Sequence, residues 1–297
     1  MLLTSHGHSK WTPALPELPE VETVRRALQP VMEGARFEKV VARRPDLRVA
    51  LPRRFAARLT GETVLRLGRR AKYLVVDLSS GETLLMHLGM SGSFRIDLAT
   101  PGVFHHARGT AGTHDHVVFH MSSGATVTFN DPRRFGLMEL VATGALQSHR
   151  VFSLLGPEPL EAEFDAARLA RTLRGRKTSI KAALSDQRVI AGLGNIYASE
   201  ALHLAGVSPR RRASTLSTRN GEPHDATRRL VHGIRTVLNQ ALVRGATVGD
   251  DGSGPGGYRF RVYDREGERC RRRGCPGTIR RIVQAGRSTF YCPVCQR

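Results

Sequence analysis

Two groups of residues have the types and spacing that chemistry requires. The first is Pro16-Glu17, which opens the stretch PELPEVETVRR over residues 16–26. A proline at the head of a chain carries a secondary amine titrating near the α-amino value of roughly 8. At neutral pH part of it is an unprotonated nucleophile, able to attack a sugar C1′ and form an iminium. The adjoining Glu17 carboxyl is placed to move protons on that sugar. The same stretch also reads as a capped surface helix. Pro19 suits the first helical position, Glu20 and Glu22 complement the positive N-terminus, and Val21, Val24 and Leu28 share one face. On these residues alone both readings stand.

The second group is Cys270-x4-Cys275-x16-Cys292-x2-Cys295. Two close cysteine pairs separated by a hairpin-length insert meet the demand of a closed tetrahedral thiolate site for one structural Zn²⁺. The insert reads as two strands, Thr278 to Val283 and Ser288 to Tyr291, turning at Ala285-Gly286-Arg287. A tail this short, with eleven arginines against three acids from Tyr258 to Arg297, needs the metal to fold. Arg287 at the turn is placed to reach a phosphate.

Three further stretches carry polar or intruding groups. The segment GLGNIYA over residues 192–198 mimics a dinucleotide fingerprint, but no βαβ unit surrounds it. Its glycines let backbone approach closely, and the helix that follows offers N–H groups to a phosphate, with Asn195 as a donor. His87-Leu88-Gly89-Met90-Ser91-Gly92 sets a flexible side chain between glycines, and Asp131-Pro132-Arg133-Arg134-Phe135-Gly136 presents an aromatic beside two guanidinium groups. Each loop alone reads as a hairpin. Together they supply a wedge, a stacking ring and a hydrogen-bonding arginine for the gap left when a nucleotide leaves a duplex. Lys72, ahead of a strand, suits a phosphate contact. Histidines 105, 106, 114, 116 and 120 fall on a loop and a strand without matched ligand geometry, so a second metal site is not expected.

The elements that must position these groups follow from length and pattern. The 297 residues allow two or three domains, and a formal net charge of +20 favours a polyanionic partner. No apolar run reaches the roughly 20 residues needed to span a bilayer. Residues 1–15 lack the apolar core of a secretory signal, and cysteines confined to the last 28 residues fit a reducing compartment. After the leading helix, residues 37–141 read as β-rich. Short runs at Val64–Leu67, Tyr73–Leu78, Thr83–His87, His116–His120 and Ala125–Phe129 suggest a sandwich of antiparallel sheets. A linker follows, then helical patterns at Phe164–Leu173, Ser179–Leu184, Ile196–Leu204 and Ala226–Val243, and a glycine-rich stretch from Val248 to Gly257.

With these residues in view, the chain resembles the formamidopyrimidine-DNA glycosylases. PELPEVETVRR, RRAKY, HLGMSG, DPRRFG, LGPEPL, KTSIK, GLGNIYASE and the cysteine hairpin occur in that family's order. The resemblance runs from Pro16 to Arg297. It implies an α+β multidomain protein: an N-terminal catalytic β-sandwich with its leading helix (16–142), a linker (143–160), a helix–two-turns–helix DNA-binding domain (161–248), a short lesion-loop region (249–257) and a C-terminal zinc-finger β-hairpin (258–297). It further implies a bifunctional base-excision repair enzyme, expected as a monomer in the bacterial cytoplasm and associated with the nucleoid. Its partner would be double-stranded DNA with oxidised bases or abasic sites.

In that role Pro16 attacks C1′, Glu17 shuttles protons and Glu20 steadies the helix end. Lys72, His87, Asn195 and Arg287 grip phosphates, and Met90, Arg133 and Phe135, with Arg134 beside them, fill the gap. Arg133 reads the orphaned base.

Three departures qualify the match. Pro16 is peptide-bonded in the sequence as written, and an amide nitrogen is no nucleophile. Residues 1–15 are therefore expected to be a non-native or mis-annotated extension, with Leu15 encoded by a TTG or CTG start codon and the resulting methionine trimmed before Pro16. The first cysteine pair is spaced x4 where the family has x2, which zinc tolerates. The stretch between Thr247 and Tyr263 is shorter than the family's lesion-capping loop, which predicts weakened discrimination of 8-oxoguanine. Two alternatives remain open: a non-catalytic binder of damaged DNA with Pro16 blocked, and an endonuclease VIII-type glycosylase acting on oxidised pyrimidines.

Overall fold

The computed structural model describes residues 16–98, 112–244 and 258–297. The N-terminal extension, His105, His106 and the stretch 249–257 lie outside the described residues.

The first helix, α1 (Leu18–Met32), begins one residue before Pro19, so the proline occupies its second position. Its apolar stripe of Leu18, Val21, Leu28 and Met32 is buried. Among the described residues eight strands follow: β1 (Phe37–Ala42), β2 (Val64–Arg70), β3 (Tyr73–Leu78), β4 (Glu82–His87), β5 (Ser93–Leu98), β6 (Asp115–Met121), β7 (Ala125–Asn130) and β8 (Leu137–Ala142). A one-and-a-half-turn helix, α2 (Phe55–Leu59), sits between β1 and β2. The strands form two antiparallel four-stranded sheets, ordered β1-β6-β7-β5 and β2-β3-β4-β8. Apolar residues from both sheets and from α1 meet in one core that includes Phe37, Leu74, Val76, Phe119 and Phe129. The expected sandwich is present, with β1, β5 and β8 added to the strands read from sequence.

The second core is helical. It is built from α3 (Ala166–Leu173), α4 (Ile180–Ser185), α5 (Asn195–Ala205) and α6 (Asp225–Arg244). Asp165 caps α3 by accepting from the Arg168 N–H at 2.6 Å, and Ser179 caps α4. Helix α5 is buried along nearly its whole length and ends at Gly206, whose φ of +71° supplies the left-handed stop. It packs closely on α6: a Cβ on Gly233 would stand 3.0 Å from the Ala201 carbonyl.

The last unit is the hairpin β9 (Arg280–Gln284) and β10 (Arg287–Tyr291), with a small core around Val262, Ile279 and Phe290. Its two-residue turn, Ala285-Gly286, has φ of +48° and +72°, as a hairpin turn matching strand twist requires. Among the described residues no helix is long and apolar enough to cross a membrane.

Candidate functional site

Glu17 is the N-cap of α1, and its side chain also reaches the start of α5. Its carboxylate accepts the N–H groups of Gly194 at 2.8 Å, Ile196 at 2.8 Å and Tyr197 at 3.4 Å. The Leu18 N–H donates to the Gly192 carbonyl at 3.1 Å, closing the joint. The carboxylate of the residue that opens α1 thus serves the N-terminus of α5, a helix of the other core.

The glycines of GLGN make this approach possible. A Cβ on Gly194 would stand 2.3 Å from Cδ of Glu17, and one on Gly192, at φ +81°, would stand 2.8 Å from Leu18. This corrects the expectation that the amides at the head of this helix are open to a phosphate. Those amides are taken by Glu17, and the glycines are needed for a protein contact.

Glu20 lies one turn along. It accepts from the Glu17 N–H at 2.9 Å and from the Tyr197 hydroxyl at 2.6 Å. Burial raises the Glu17 carboxyl, opposed by the Lys72 charge and the three amides. Burial also lifts Glu20, to about 7, with the Tyr197 hydroxyl opposing and the Glu17 charge adding to the rise. Lys72 is lowered by burial, with Glu17 opposing and Arg287 assisting. Buried carboxyl groups raised toward neutrality beside a lowered amine form an arrangement suited to proton transfer near pH 7.

Lys72 sits on the turn between β2 and β3, where Ala71 has φ +53°. A residue the sequence reading assigned no role, Glu158 of LGPEPL, holds this turn. It accepts the Ala71 N–H at 2.6 Å, Arg70 Nη1 at 2.8 Å and Arg69 Nη1 at 2.9 Å, and Arg70 also donates to the Gly156 carbonyl. Lys181 of KTSIK, likewise assigned no role, is buried and hydrogen-bonded to Oδ1 of Asn195. Burial first, then the Arg287 charge, pushes Lys181 down to about 8. The signal for both was in the motifs. An acid flanked by two prolines and a lysine inside an apolar helix start each need a partner.

Asn195 closes its amide on the zinc unit, donating through Nδ2 to the Ser288 carbonyl at 2.9 Å. Arg287, next to Ser288, is exposed at the hairpin turn, and its charge is felt by both Lys72 and Lys181. Glu17, Glu20, Lys72, Lys181, Asn195 and Arg287 therefore form one electrostatic neighbourhood across three units of the chain. Pro16 is half-buried beside it.

The two intruding loops pack on each other. The Ser91 hydroxyl donates to Asp131, the Gly136 N–H donates to the same carboxylate at 2.7 Å, and the Arg133 N–H donates to Ser91 Oγ. A Cβ on Gly89 would stand 2.3 Å from the backbone of Phe135. Phe135 stays 40% exposed, with the Arg133 guanidinium 4.9 Å above its ring, while Met90 is half-buried and Arg134 exposed near Asp46. His87 joins the loops to the first cluster. Its ring lies 4.7 Å from Tyr73, and its Nδ1 accepts the Gly89 N–H at 3.0 Å. Burial, then the Lys72 and Arg48 charges, hold it down to about 4, so the neutral ring carries its proton on Nε2.

The expected metal centre is assembled. The four cysteine sulfurs lie within 4.8 Å of one another, with Cys270–Cys295 at 3.7 Å and Cys275–Cys292 at 3.6 Å. Tetrahedral Zn–S bonds of about 2.3 Å set sulfurs roughly 3.8 Å apart, so the thiolates fit one structural Zn²⁺. His116 hydrogen-bonds the Asp131 carbonyl at 2.9 Å, and His120 faces Thr126 Oγ1 at 3.2 Å.

Comparison with known proteins matches three successive stretches of the chain. Residues 15–138 match the formamidopyrimidine-DNA glycosylase N-terminal domain, residues 155–251 its H2TH domain, and residues 267–297 the zinc finger found in FPG and IleRS. The formamidopyrimidine-DNA glycosylases of a Bradyrhizobium species and of Rhodopseudomonas palustris are 60% and 59% identical, each matched over its full length by 95% of this chain. The Lactococcus lactis enzyme, solved in complex with DNA containing an abasic site, superposes with a TM-score of 0.80 at 31% identity. That match covers 95% of this chain and all of the other. With three consecutive domain matches and close relatives along its length, the chain belongs to the formamidopyrimidine-DNA glycosylase family of base-excision repair enzymes.

Proposed function

We propose that the chain removes oxidised purines from double-stranded DNA through a Pro16 iminium and then cleaves the strand. The observation that carries this reading is the Glu17 carboxyl, 1% exposed, raised by burial and fixed by three amides immediately beside Pro16.

The unprotonated Pro16 nitrogen attacks C1′ and the bond from C1′ to the base breaks, the base leaving with the proton that the nitrogen gives up. The freed nitrogen lone pair then expels O4′, which takes a proton from Glu17. The iminium acidifies C2′. Loss of that proton expels the 3′ phosphate, a second elimination expels the 5′ phosphate, and water hydrolyses the iminium to free Pro16.

Lys72, His87 through Nε2, Asn195 and Arg287 hold phosphates. Met90, Phe135 and Arg133 enter the stack, Arg133 reading the orphaned base, and Arg134 adds charge on the same turn. The zinc ion bound by Cys270, Cys275, Cys292 and Cys295 supplies folding energy to the finger. The setting we assign is the bacterial nucleoid.

This reading requires that the working protein begin at Pro16. The family match beginning at residue 15 and the relatives' full-length coverage by 95% of this chain support it. Borohydride trapping on abasic duplex tests it. Protein beginning at Pro16 should be covalently captured, and protein retaining Met1–Leu15 should not. Equal capture by both would overturn the role of Pro16. Retention of the segment in the cell would leave a binder of damaged DNA.

The glycine-rich stretch Gly252–Gly257 carries few groups able to read a base edge. We therefore assign formamidopyrimidine as the better substrate. Equal or faster excision of 8-oxoguanine from matched duplexes would refute that ranking.

A further inference from the structure

The zinc unit docks on the C-terminal end of α5, and one contact there involves a metal ligand. His203 of α5 is 2% exposed, and its Nε2 lies 3.3 Å from Sγ of Cys270. Its Nδ1 is buried without a partner. A thiolate bound to zinc has only lone pairs to offer, so the atom facing it must carry the proton. With the proton on Nε2, the unpartnered Nδ1 is a bare lone pair.

Neighbouring contacts fix both partners. The Arg272 N–H donates to Cys270 Sγ at 3.4 Å, while its guanidinium donates to the His203 and Leu204 carbonyls at the end of α5. Past the helix, Gln296 Nε2 donates to the Val207 carbonyl and the Arg297 N–H to the Gly206 carbonyl. The joint that seats the finger therefore holds the helix end carrying this ring against the sulfur.

We propose that His203 is an outer-sphere partner of the zinc site, donating Nε2–H to the Cys270 thiolate, so that a residue of the helical domain governs how firmly the finger retains its metal. Such a hydrogen bond withdraws charge from the sulfur and orients it. Loss of outer-shell partners of this kind typically costs about 10–100-fold in metal affinity. Cys270 belongs to the wider-spaced cysteine pair, with four intervening residues rather than two, and is the thiolate with most to gain from an added constraint.

The test uses full-length zinc-loaded protein with His203→Phe, which keeps a ring in the space, and His203→Gln, which restores an N–H donor. Zinc release to a chromogenic chelator should quicken about 10–100-fold in the Phe variant, with recovery in the Gln variant. In cobalt-substituted protein the thiolate-to-metal charge-transfer band should shift in the Phe variant alone, a change that loosened packing does not produce. Wild-type release rate and an unshifted band in His203→Phe would overturn the proposal. So would equal defects in both variants with no band shift, which would mark His203 as packing only.

Discussion

The Glu17 carboxylate and the Gly194 N–H meet at 2.8 Å, although 177 residues separate them in the chain. The contact leaves no room for a side chain at residue 194. Gly194→Ala should displace the carboxylate by about an ångström and lower excision on the order of 100-fold. Its stability cost should be about 1–3 kcal/mol. Single-turnover rates beside urea melts of the variant separate the two effects. A normal rate would show that Glu17 tolerates displacement.

Glu20 makes stability depend on pH in an unusual direction for a carboxyl. Burial lifts it to about 7 from an ordinary 4.5, so its contribution is fully present below pH 4.5 and is lost as pH rises through 7. Glu20→Gln removes this titration. The urea midpoint of the variant should gain on wild type between pH 4.5 and 7.5. Parallel pH profiles would show that Glu20 is ionised throughout.

Glu158 holds the Lys72 turn by three donors. Glu158→Gln leaves at least one without an acceptor and should cost about 2 kcal/mol of stability. KM for lesion duplex should rise more than kcat falls, because Lys72 is assigned to phosphate binding. An unchanged KM would separate the turn from DNA binding.

Arg287 is exposed on the hairpin turn, so its removal should leave folding intact. Arg287→Ala should weaken binding to all duplexes alike and reduce the slope of log K against log salt by about one. The adjacent Ala285 sits at φ +48°, a conformation costing an alanine roughly 1 kcal/mol. Ala285→Asn should therefore raise the melting temperature while leaving the salt slope unchanged.

What the sequence revealed and what it hid divide by the range of the interaction. The sandwich, the helices and the cysteine hairpin were legible because period, turn residues and ligand spacing are local signals. Strand β8 was not, because Leu-Met-Glu-Leu-Val-Ala suits a helix as well as a strand and only pairing with β4 decides it. The GLGN glycines were legible as a close approach but not as to what approaches. A helix N-terminus attracts a phosphate and a carboxylate by the same physics, and the competing Glu17 lies at the other end of the chain. Glu158 was legible as an acid in need of a partner but not as to which, and His203 was invisible, for the same reason. Each acts on a turn or a sulfur that only the assembled fold brings near.

The contact between Gly89 and the backbone of Phe135 also limits how this protein can change. Because the loops carrying Met90 and Phe135 fill each other's space, a bulkier residue on one loop is admissible only with a compensating change on the other. Substitutions there should come in pairs. A library varying both loops at once should recover active combinations that no sequence of single steps can reach through active intermediates.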